Sequence, residues 1–162
     1  MSTFERENYQ WRETYFVLFK SCNRPTLKQV QKVLHELSDR FQLTAGLADE
    51  DDRFESLTIL APDDYAALDI GYVAGEEVLE QAAALYKELK SPDADEQERA
   101  KLARLGKCDA RFDLLHFEEV TEGQGDDALD EMLDPSALLI VLDALGELTG
   151  GVGVDPQSGT LV

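Results

Sequence analysis

A chain of 162 residues with 43% hydrophobic residues and seven Phe can bury a core of its own and is not disordered throughout, so it reads as one domain, 1–162, with 1–12 as an arm. Its 34 Asp and Glu against 15 Lys and Arg give a net charge of −19, which argues against nucleic acid or an anionic membrane surface as partners. No apolar run reaches the ~18 residues of a membrane span, the first residues lack the basic-then-apolar order of a secretory signal, and Cys22 and Cys108 are too few for a disulfide scaffold; the expectation is a cytoplasmic protein with two free thiols.

In chain order, the polar arm carries Phe4, Tyr9 and Trp11, which either pack on the body or meet a partner. Residues 13–20 read as a strand, with Tyr15, Val17 and Phe19 on one face and Phe16 and Leu18 on the other; Trp11 shares the parity of Tyr15, so the strand can start at Tyr9. A strand apolar on both sides belongs in the middle of a covered sheet. After the loop Ser21–Arg24, Pro25 and Thr26 open a helix, Thr26 forming a capping box with Gln29, and Leu27, Val30, Val33, Leu34 and Leu37 fall on one helical face, to an end near Phe41. Ala48–Asp52 is an acidic connection whose spacing fits a solvated loop rather than a calcium loop. Residues 54–61 and 66–73 then make a hairpin about Pro62-Asp-Asp64.

Val78, Leu79, Ala82, Leu85, Tyr86 and Leu89 stripe a second helix over 76–89, with Glu76 and Glu77 at its start and Lys87 and Lys90 at its end in the order its dipole favours. A short polar helix over 93–105 follows; Arg99, Lys101, Arg104, Lys107 and Arg111 make a basic cluster that offsets neighbouring acids or, alternatively, holds an anion. Residues 110–118 form a strand with Phe112, Leu114 and His116 on one face, and 121–134 an acidic, Gly-containing loop. Asp134 and Pro135 cap and start a Leu-rich helix that Gly150-Gly151 ends, and 152–154 and 160–162 suggest a terminal hairpin or edge strand.

Over 13–118 the order is strand, helix, strand, strand, helix, strand. That is the α+β, ferredoxin-like βαββαβ pattern, a mainly antiparallel sheet with both main helices on one face. The Leu-rich helix is then the natural cover for the other face, with a homodimer as the alternative and a C-terminal helix and hairpin added to the core. The ending Leu148-Thr-Gly-Gly-Val-Gly-Val-Asp-Pro-Gln-Ser-Gly159 resembles the close of uncharacterised bacterial α+β domains, where a hydrophobic helix runs through a Gly pair into a strand and an Asp-Pro turn. The resemblance covers about a sixth of the chain, implies a bacterial housekeeping or accessory domain and carries over no catalytic residue.

Cys22, Asn23 and Arg24 are the candidate ligand-binding residues: they join a central strand to a helix N-terminus, which attracts anions, with Lys20 and Lys28 nearby. The competing reading is an ordinary βα loop. Neither His35, on the outer helix face, nor His116, among core residues, is placed as a base for Cys22, and two His with two distant Cys have no zinc spacing. Asp126, Asp127, Asp130 and Asp134 do not specify a calcium loop. No catalytic residue, metal or cofactor is assigned. Residues 112–162 hold twelve Asp and Glu and no Lys or Arg. The favoured function is therefore a non-enzymatic module, monomer or homodimer, that binds a basic protein partner, of inhibitor or immunity type; the alternative is a small-anion sensor or enzyme using the loop after the first strand.

Overall fold

The computed structural model describes residues 9–38, 41–61, 66–90, 92–119, 136–156 and 160–161. Its strands are β1 (Tyr9–Phe19), β2 (Gln42–Ala48), β3 (Phe54–Ala61), β4 (Ala66–Ala74), β5 (Ala110–Glu119), β6 (Val152–Asp155) and β7 (Thr160–Leu161). Its helices are α1 (Leu27–Leu37), α2 (Glu76–Leu89), α3 (Glu96–Leu105) and α4 (Ser136–Thr149). The strands make one sheet in the order β2-β3-β4-β5-β1-β6-β7, and every pairing in it is antiparallel. The fold is α+β, and no described helix is long and apolar enough to cross a membrane.

The two-sided apolar strand lies inside the sheet, between β5 and β6. Val17 and Phe19 join one core with Val30 and Leu34 of α1 and Leu138, Val141, Leu142 and Leu145 of α4. Leu18, from the other face, joins a second core with Val78 and Ala82 of α2 and Leu102 and Leu105 of α3. Burial of both faces is what its composition demands.

The strand order corrects the ferredoxin-like expectation. That pattern needs β1 between β4 and β5, but β5 lies directly beside β4, with Ala74 opposite Ala110. The cause is the connector. One helix after β4 would carry the chain to the far end of the sheet; α2 followed by α3 goes out and returns, so β5 starts at the end where β4 stopped. The same two helices cover one face, so α4 packs beside α1 on the other. The expectation that α1 and α2 share a face is overturned with it.

Two further expectations change. The first helix ends at Leu37, short of Phe41, and 42–48 is the edge strand β2, mostly exposed, with register shifts around the positive-φ residue Ala45. Trp11 does not share the face of Tyr15: the register shifts between Trp11 and Glu13, setting Trp11 opposite Phe117 and Tyr15 opposite Leu114. The hairpin β3–β4, helix 76–89 and the terminal pair β6–β7 form as expected. The proposed loop 121–134 and the Asp134–Pro135 helix start lie outside the described residues.

Candidate functional site at the β1–α1 junction

After β1 the chain makes a single 3-10 turn, Ser21–Asn23, before α1. Ser21, Asn23 and Arg24 of this segment have tertiary partners, and Cys22 does not reach beyond its neighbour. The Ser21 backbone N–H and hydroxyl donate to the two carboxylate oxygens of Asp109, at 2.6 and 2.8 Å. Cys22 is exposed, its Sγ 3.7 Å from the Asn23 side-chain oxygen. The Asn23 amide donates to the Thr149 carbonyl at 3.1 Å, satisfying the C-terminal end of α4.

Arg24 turns inward. Its Nε donates to the Phe54 carbonyl at 2.9 Å, its guanidinium lies 3.9 Å from the centroid of the Tyr72 ring, and Nη1 pairs with Asp49 at 3.2 Å. Asp49 is held in turn by the β2–β3 hairpin it closes, accepting from the N–H groups of Asp51 and Arg53 at 2.9 Å each, with Asp52 at φ +63°. The bond from the Arg53 N–H, more than the nearby Arg24 charge, lowers the Asp49 pKa. Burial raises the Tyr72 pKa, and the Arg24 charge pulls against it.

The helix start is likewise occupied. Thr26 Oγ1 accepts from the Gln29 N–H at 3.1 Å and Gln29 Oε1 accepts from the Thr26 N–H at 2.9 Å, the capping box read from the sequence. The Leu27 N–H donates to the Asp52 carbonyl. Of the three candidate ligand residues, the structure thus gives Asn23 and Arg24 internal partners and leaves Cys22 on the surface.

His116 is not brought to this junction. It pairs across the sheet with Glu13, whereas Phe19 at the junction pairs with Ala110, six residues and roughly 20 Å along β5. The imidazole is buried, on the strand face it shares with Phe112 and Leu114 as anticipated, with Nδ1 3.4 Å from Glu13 Oε1. His35 is exposed. Cys108 is buried and its thiol is pushed up to about 11, mainly by desolvation, so it is no nucleophile. Among the described residues no group of three or more His, Cys, Asp or Glu is placed to hold a metal ion; the acids 126–134 lie outside them.

The basic cluster expected over 99–111 is dispersed. Arg111 pairs with Asp113 at 2.7 Å, donates to Gln81 and lies 4.6 Å from the centroid of the Phe16 ring, while Arg99 donates to the Pro92 carbonyl. Lys101 and Arg104 face Asp143 and Glu147 of α4 across a cleft of about 370 Å³ floored by Gly151–Gly153. Lys107 joins Lys87 and Lys90 around a groove of about 560 Å³ between α2 and α3. That triad is not foreseen from the sequence, where Lys87 and Lys90 read as dipole partners of α2; lysines three apart at a helix end are the only signal for it.

Comparison with protein-family models, curated proteins and solved structures finds no match. Any functional reading therefore rests on the molecule's own surfaces.

Proposed function

We propose that the chain is a non-enzymatic protein-binding module that receives a basic partner on the outer side of α4. One observation carries this reading. Leu139 and Ile140 are 41% and 46% exposed, and Asp143 and Glu147 stand exposed on the same helix, in a 51-residue stretch without a Lys or Arg. An apolar anchor supplies contact area, and flanking carboxylates steer a cationic surface to it and fix its register. Such a surface suits an inhibitor or immunity role against a basic toxin or nuclease.

The experiment is co-purification from source cells, followed by reconstitution with the isolated partner in calorimetry. The partner is expected to be basic. Asp143→Lys with Glu147→Lys should weaken binding about tenfold or more, as should Leu139→Asp, and affinity should fall as salt shortens the screening length. Binding indifferent to salt and to both replacements refutes the reading.

A further inference from the structure

We propose that the groove between α2 and α3 is a second interaction site, of opposite sign, that takes a short acidic segment of a partner protein carrying one apolar side chain. Three lysines surround it: Lys87 in the last turn of α2, Lys90 just past its end, and Lys107 beyond α3. Among the described residues no carboxylate lines it, in a chain where acids outnumber bases 34 to 15. Among the described residues none of the three lysines has an ion-pair partner within 4.0 Å. Helix dipoles account for a lysine at each helix end. They do not require cations of two helices to converge on one apolar trough.

The trough explains the second half of the ligand. Its walls are Ala83, Ala103 and the half-buried ring of Tyr86, small residues beside an aromatic, and its volume of about 560 Å³ lies within the range of ligand-binding clefts. A bulky apolar side chain fits between the helices while flanking carboxylates reach the ammonium groups, which are flexible point charges rather than planar forks. A long polyanion such as RNA is disfavoured, because beyond the groove it meets the field of a protein of charge −19. A short acidic segment places its few charges where the cations are. This site is independent of the α4 surface, which lies with the other core.

The test is fluorescence anisotropy with a labelled, Glu-rich peptide of about twelve residues with one central Phe, read against the full chain. Saturable binding is expected, weakened about tenfold or more by Lys87→Glu with Lys107→Glu and by about 0.5 M salt. Ala83→Trp, which fills the trough without changing charge, should weaken it comparably, and replacing the peptide's Phe by Ser should cost several-fold. Binding untouched by the lysine pair or by Ala83→Trp overturns the proposal. So does equal displacement by an oligouridylate of matched charge, which makes the groove a general polyanion patch. Sedimentation showing a dimer that the lysine replacements dissolve also overturns it, by assigning the groove to a second copy of this chain.

Discussion

Removing the Arg24 side chain decides whether the β1–α1 junction is scaffold or binding site. In Arg24→Ala the Phe54 carbonyl, on a fully buried residue, loses a charged donor at 2.9 Å; a buried acceptor deprived of its partner costs about 1–3 kcal/mol. The stacking over Tyr72 at 3.9 Å is lost as well, at about 0.5–1 kcal/mol for a site still reached by solvent. The pair with Asp49 adds little, because water and salt screen it. The loss is therefore about 1.5–4 kcal/mol, or roughly 3–16 °C in Tm for a domain of this size. Arg24→Lys keeps the charge but not the planar group that serves three partners at once, and should recover only part of the loss. Urea unfolding followed by circular dichroism at the helical band is the assay, since Trp11 is half exposed and a poor reporter of the core. A loss under about 0.5 kcal/mol for Arg24→Ala would refute the reasoning. The guanidinium would then be available to an anion, and sulfate should stabilise the parent protein but not the variant.

Two other variants test the packing and electrostatics of the sheet. Burial raises the pKa of Asp69, on β4, against the weaker pull of the Thr58 hydroxyl 3.5 Å away. Its folded pKa lies above the unfolded value of about 4, so ionisation costs stability above the folded pKa and the cost fades as pH falls toward the unfolded one. Asp69→Asn should thus be more stable than the parent at pH 7, with the gain shrinking in urea titrations toward about pH 4; a gain of the same size at both pH values, or none, removes the argument. At Gly151 an added Cβ would lie 2.5 Å from the Leu18 carbonyl oxygen, 2.9 Å from Thr149 Oγ1 and 3.0 Å from Phe19 Cβ, whereas at Gly71 it would meet nothing within 4 Å. Gly151→Ala should cost about 2 kcal/mol or more and Gly71→Ala should be neutral to stabilising by up to about 1 kcal/mol; equal melting temperatures for the two would show that β6 can slide away from β1.

What could be read in the residues was local. Tyr15–Phe19 declares a strand covered on both sides, Thr26 and Gln29 declare a cap, and the stripe from Val78 to Leu89 fits α2 at both ends. What could not be read was non-local or lacked a hydrophobic signature. β2 is invisible because its side chains face water at the sheet edge and Ala45 breaks its alternation. Trp11 has the parity of Tyr15, but one register shift sends it to the other face. Asn23 and Arg24 have the composition of an anion-binding loop, yet their partners are 126 and 30 residues away, and only the fold shows that their donors are committed. The ferredoxin-like topology failed by a count: α3 is legible, but a connector with two helices reverses the direction of the strand that follows it.

The same two-helix connector bears on where a partner can dock. It builds a layer of its own from α2 and α3, and that layer carries the lysine groove and the cations Lys101 and Arg104. Because the connector takes one face, α4 is left to the other, and with it the acids Asp143 and Glu147. The lysine groove and the acids of α4 therefore belong to layers on opposite sides of the sheet. The two layers meet beside β6, next to the β7 edge of the sheet, where a cleft of about 370 Å³ is lined by Lys101 and Arg104 and by Asp143 and Glu147, with no ion pair between them among the described residues. Charge reversal at Asp143 and Glu147 should therefore leave the lysine groove's affinity for an acidic peptide largely unchanged. Coupling between the two surfaces, if a double-mutant cycle finds any, must run through that edge.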